Sequence, residues 1–115
     1  MTALRRAEGF PIRFLGLDVE EDGDDYSHDW PRLVAEMVAA CRGDFQVVPV
    51  IYTSRSMWAK LMADTPEYAD LLLWDAAYGD LAFRPYGGWT KRAIWQRRGT
   101  TDLCGTKVDL NRVEL

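Results

Sequence analysis

The sequence is 115 residues long and 48% apolar, which suits one modest core in a single domain over 1–115 and is too apolar for a disordered chain. A net charge of −4, with lysines and arginines scattered rather than gathered in a stripe, argues against a nucleic-acid partner. No stretch approaches the ~18 apolar residues of a membrane span, and Met1 to Gly9 lack the apolar core of a signal peptide, so a cytoplasmic chain is expected unless another route exports it.

The apolar run Phe10 to Leu17 predicts a strand that ends on Asp18-Val19-Glu20 and passes into the polar loop Glu21 to Asp25. Side chains alternate along a strand, so Asp18 and Glu20 share one face while Val19 points the other way. Paired carboxylates at the C-terminal mouth of a strand suit sugar cleavage, one donating a proton and the other stabilising positive charge at the sugar. The stretch can also be laid on a calcium loop, with Gly23 at the sixth place. Such a loop needs a preceding helix, Asp or Asn where Glu20 stands, and normally Glu where Asp29 stands, so no metal is expected. His28 has no second His or nearby Cys with which to hold zinc.

Ser27 or Asp29 can cap a helix with Pro31 in its first turn; Leu33, Val34, Met37, Val38 and Cys41 recur at helical spacing, and Gly43 ends the pattern. Gln46 to Thr53 is β-branched and apolar on both faces, a buried parallel strand in which Pro49 suggests a bulge or an unpaired position. Ser54 then caps a helix carrying Met57, Trp58, Leu61 and Met62, which Thr65-Pro66 stops. A third strand is predicted over Leu71 to Trp74, a loop from Asp75 to Gly88, a fourth strand over Arg92 to Gln96 and a fifth over Val108 to Val113. This alternation predicts an α/β fold of βαβ units with mostly parallel strands, irregular or antiparallel where the helices run out. Cys41 and Cys104 carry no motif and read as free thiols.

The strand ends bring Asp18 and Glu20, Tyr52, Trp74, Trp95 with Gln96, and Asp109 with Asn111 to one end of the sheet. Aromatic faces stack on sugar rings, and five tryptophans exceed what a core of this size needs, although Trp58 on a helix face is expected inside.

In order, Leu17-Asp18-Val19-Glu20, Pro49-Val50-Ile51-Tyr52-Thr53, Leu73-Trp74-Asp75-Ala76-Ala77-Tyr78, Ile94-Trp95-Gln96 and Gly105-Thr106-Lys107-Val108-Asp109-Leu110-Asn111 resemble glycoside hydrolase family 25, the lysozyme-like muramidases. The resemblance implies hydrolysis of the β-1,4 bond between N-acetylmuramic acid and N-acetylglucosamine in peptidoglycan, without a cofactor. It implies Glu20 as general acid, Asp18 orienting the 2-acetamido group or stabilising charge at the anomeric carbon, and Asp109 as a further carboxylate. Tyr52, Trp74, Tyr78, Trp95, Gln96 and Asn111 become the substrate-binding set. Repulsion between two close carboxylates would keep one protonated near neutral pH, and their closeness favours assistance by the substrate's own acetamido group.

The family's barrel begins with strands, one bearing another active-site Asp, for which the nine residues before Phe10 leave no room. The expected fold is therefore a partial TIM-like (β/α) barrel lacking its N-terminal strands, resembling the C-terminal half of the catalytic domain. Its open sheet edges invite self-association or a complementing chain. The rival expectation is a non-catalytic remnant that retains some affinity for glycan.

Overall fold

A computed structural model describes residues 15–21, 28–79 and 82–114, side chains of 102, 103 and 108 excepted. Of the first predicted strand, Leu15–Asp18 (β1) falls within this range; Ser27 and the centre of the supposed calcium loop lie outside it. Helix α1, Trp30–Gly43, is capped by Asp29, whose carboxylate accepts the Arg32 backbone N–H, with Pro31 in the first turn where its missing donor costs nothing.

Strand β2 is Pro49–Thr53 rather than a strand from Gln46. Gln46 has φ 53°, which no extended strand allows, and Pro49 occupies the first strand position, where a proline is tolerated without a bulge. Helix α2, Arg55–Met62, begins on Ser54, whose Oγ accepts the Met57 N–H at 3.2 Å. It stops before Thr65-Pro66, because Ala63 and Asp64 adopt left-handed φ of 51° and 54°. Strand β3, Leu72–Ala76, is shifted one to two residues from its expected place.

Strands β4, Ile94–Leu103, and β5, Thr106–Val113, are longer than their predicted counterparts and form an antiparallel hairpin. Cys104 and Gly105 turn it with φ of 51° and 78°, the mirror-image turn that matches strand twist. The extension was hidden because Arg97-Arg98-Gly99-Thr100-Thr101 lacks apolar alternation and the register shifts twice between Gln96 and Thr101.

The five strands follow chain order, β1-β2-β3-β4-β5, parallel through β4. The architecture is a mixed α/β fold with a mainly parallel sheet. Among the described residues the sheet is open, with β1 and β5 at its ends, so the expected partial barrel is here an unclosed sheet. One sheet face contributes Leu15, Leu17, Val19, Ile51 and Leu73 to a core shared with Val34, Val38 and Cys41 of α1 and Trp58, Leu61 and Met62 of α2. Thr53, fully buried at the end of β2, donates its hydroxyl to the Val19 carbonyl and fastens the ends of β1 and β2 together. Trp58 is fully buried as expected, meets Trp89 edge-on at 4.9 Å and donates Nε1–H to the Thr65 carbonyl. Gly87 fits beneath this pair at φ +55°, where a Cβ would lie 2.6 Å from each indole. No helix among the described residues is long and apolar enough to cross a membrane.

Candidate active site

Since Leu17 and Val19 face the helices, the pleat sends Gly16, Asp18 and Glu20 to the opposite face, which no helix among the described residues covers. Parallel register sets Asp18 beside Tyr52, Tyr52 beside Trp74, and Ala76 beside Gln96. Gly16, Asp18, Glu20, Tyr52, Trp74, Gln96 and Asp109 thus line one cavity of about 270 Å³, to which every strand contributes.

A hydrogen-bonded chain crosses its floor. Tyr52 donates its hydroxyl to Gln96 Oε1, and Gln96 Nε2 donates to Asp109 Oδ2 at 2.9 Å. The Thr100 backbone N–H donates to the other Asp109 oxygen, also at 2.9 Å. Both oxygens of Asp109 are therefore anchored, and the amide of Gln96, which is 3% exposed, is oriented by the groups on either side. Burial, followed by the charges of Glu20, Tyr78, Asp18 and Asp109, pushes the Tyr52 hydroxyl well above its ordinary pKa, so it remains a donor throughout the neutral range.

Trp74 meets Tyr52 edge-on, with centroids 5.1 Å apart and planes at 74°, and donates Nε1–H to Asn111 Oδ1 at 2.8 Å. Its indole lies across Gly16, where a Cβ would touch it at 3.5 Å. Three carboxylates around an aromatic side wall can supply a proton, hold positive charge and stack against an apolar sugar face.

Trp95 does not join this cavity. Adjacent strand residues face opposite ways, and with Gln96 turned to the cavity the Trp95 side chain is buried on the other side, donating Nε1–H to the Ala77 carbonyl at 2.6 Å beneath the Arg92 guanidinium. Tyr78 stands outside the lining, exposed and packed against Gly99 so closely that a Cβ there would sit 2.8 Å from its hydroxyl. Asn111 supports Trp74 rather than lining the cavity. Of the five tryptophans, Trp74 alone reaches it.

Sequence reasoning passed over Gly16, the Thr100 N–H and a second polar cluster on the covered side. There Asp75, 3% exposed, accepts from the Tyr86 hydroxyl at 2.7 Å and from Arg92 Nη1 at 3.3 Å. Arg92 also donates Nε–H to Glu114 at 2.8 Å, with its guanidinium 4.1 Å from the Trp95 ring centroid. Strand parity was the available signal: a carboxylate next to Trp74 must face the core and needs buried partners.

The chain is similar in sequence and fold to several known proteins. The chain is 30% identical over 121 residues to Counting factor 50 of Dictyostelium discoideum, a match covering 92% of the chain and 37% of the relative. It is 30% identical over 108 residues to Probable GH family 25 lysozyme 5 of the same organism, covering 87% and 50% respectively. The chain thus spans half or less of the length of these relatives. Its structure aligns with that of the muramidase from Acremonium alcalophilum at TM-score 0.72 and 23% identity, covering 86% of the chain and 50% of the muramidase. No family model matches the sequence.

Proposed function

We propose, for a chain related in sequence and fold to about half of a glycoside hydrolase family 25 lysozyme, that it forms the C-terminal half of a peptidoglycan hydrolase domain. The bond cleaved is the β-1,4 link between N-acetylmuramic acid and N-acetylglucosamine. The observation that carries this reading is the cavity in which Asp18, Glu20 and Asp109 gather around Tyr52, Trp74 and Gln96.

Glu20, the most exposed member of the Asp18–Glu20 pair, gives its proton to the glycosidic oxygen. Asp18, half-buried beside Tyr52, orients the substrate acetamido group and stabilises charge at the anomeric carbon. Asp109, held by Gln96 and Thr100, presents a fixed negative charge from the far side. Trp74 supplies a stacking surface. This division rests on the lining of the cavity and on the motif order.

A second reading, glycan binding without turnover, is favoured by the open sheet: the cavity has one sheet face as its wall, and misplaced catalytic groups forfeit much of the ~7–11 kcal/mol that orientation can supply. Digestion of purified cell walls, followed by reduction and identification of the new reducing ends, decides between them. Reducing N-acetylmuramic acid is expected from an active assembly, with little release by the 115-residue chain alone, which should self-associate through its open edges. Reducing N-acetylglucosamine would refute the bond assignment, and strong lysis by a light-scattering monomer would refute the need for a second half.

A further inference from the structure

A second cleft opens at the same end of the sheet. Ser54, Arg55 and Ser56 border it from the start of α2, Ala76 from the end of β3, and Arg84 and Tyr86 from the following loop, enclosing about 370 Å³. A hollow of about 200 Å³ shares Arg55, Ala76, Arg84 and Tyr86 with it and is lined further by Asp75 and Ala77. Two exposed guanidiniums thus share one recess, and among the described residues neither forms an ion pair. The carboxylates that border it are already engaged: Asp75 by Tyr86 and Arg92, and Asp64 by the Gly87 N–H at 2.7 Å.

The position of this recess gives it meaning. Ser54 and Ala76 lie two residues beyond Tyr52 and Trp74 on neighbouring parallel strands, a displacement of ~6–7 Å at the strand rise, comparable to a sugar ring. The carboxylate cavity and the arginine recess are therefore neighbours, and the recess offers two guanidiniums where the cavity lining has no Lys or Arg. A ligand spanning both would place its neutral sugar against Trp74 and an anionic branch against Arg55 and Arg84, with the wrong orientation penalised by Asp18, Glu20 and Asp109.

We infer that Arg55 and Arg84 form a subsite for the carboxylates of the peptide branch carried by the muramoyl sugar, so that the chain reads peptide-substituted glycan in preference to bare glycan. This rests on the peptidoglycan reading above. Guanidinium suits the task because its planar fork matches a carboxylate in two parallel hydrogen bonds.

Calorimetric titration tests it at low and high salt with three probes: a disaccharide peptide, an N-acetylglucosamine oligomer and the free stem peptide. The wild-type chain is expected to bind the disaccharide peptide about five- to tenfold more tightly than the oligomer at low salt, an advantage that shrinks as salt screens the charges. Arg55→Gln with Arg84→Gln should abolish the advantage and leave oligomer affinity unchanged; both side chains are exposed, so folding is spared. Equal affinity for the two glycans in the wild type, or an advantage that survives the double substitution, would overturn the subsite. Salt-sensitive binding of the stem peptide that the double variant loses would uphold it even if the bare oligomer failed to bind, a failure that counts against the carboxylate cavity alone. Glycerol phosphate oligomers form the last arm; binding as tight as that of the disaccharide peptide would assign the recess to phosphate and refute the peptide.

Discussion

The two faces of the sheet solve opposite problems with similar residues. On the helix-covered face a carboxylate, Asp75, is matched by Tyr86 and Arg92, and its tryptophan neighbour Trp95 is capped by the same guanidinium. On the uncovered face Asp18, Glu20 and Asp109 share one cavity with no Lys or Arg in its lining, and Trp74 stands at its edge. A buried carboxylate held by a guanidinium and a phenol fixes the fold, whereas three carboxylates brought to one cavity place acidic groups where a ligand can meet them. The face on which a carboxylate lies, more than its residue type, separates scaffold from site in this molecule.

Substitutions on each face sharpen or break that contrast. The largest effect is expected for Glu20→Gln in an active assembly: a loss of about 10²- to 10⁴-fold in cell-wall hydrolysis with thermal midpoint unchanged, since a transferable proton is lost and an exposed side chain keeps its shape. Asp18→Asn should be nearly as damaging. Activity within a few-fold of wild type would remove Glu20 from the acid's role. Next, Asp75→Ala should cost roughly 3 kcal/mol by denaturant titration, because Arg92 and Tyr86 lose a buried partner. Unchanged stability would show that the covered face does not depend on this pairing.

Asn111→Ala should weaken glycan binding by about three- to tenfold, the worth of one hydrogen bond, by freeing the Trp74 indole, with stability nearly constant. Intrinsic tryptophan fluorescence during a glycan titration reads it, and an unaltered curve would mean that the ring is fixed by packing alone. The smallest effect is alkaline. Burial raises the pKa of Tyr52, Tyr68 and Tyr86 in the folded state, and the Asp75 hydrogen bond adds to the rise at Tyr86. A raised folded value means that this stability is complete below the ordinary phenol pKa of about 10 and is lost as pH climbs above it. Tyr86→Phe should flatten part of that alkaline decline in thermal midpoint.

The elements legible in the sequence were those whose signal is local. Asp29, Ser54 and Pro31 marked helix starts, and the spacing of Val34, Val38 and Cys41 marked a buried stripe. Parity within Asp18-Val19-Glu20 correctly separated two cavity residues from a core residue. The same rule applied to Trp95-Gln96 keeps Trp95 out of the site, because adjacent side chains of one strand point to opposite faces even within a motif. The reach of β4 and β5 was invisible because their pairing depends on register shifts and a Cys104-Gly105 turn rather than on alternation. Helix α2 ended early for a backbone reason, the left-handed Ala63 and Asp64, that residue type does not announce.

The hairpin also sets the order in which the cavity can come into being. Asp109, Gln96 and the Thr100 N–H all belong to β4 and β5, which close around a two-residue turn. A hairpin of this kind forms in about 1–10 μs, so one wall of the site needs little of the chain. Asp18 and Glu20 sit at the opposite edge of the sheet and reach it only after β3, β2 and β1 have docked through three parallel crossovers, contacts of long sequence separation that are slow to close. The cavity is complete only when the last distant strand pairing is made, so a sugar that bridges its two walls would bind the finished sheet alone and act as a probe of folding itself.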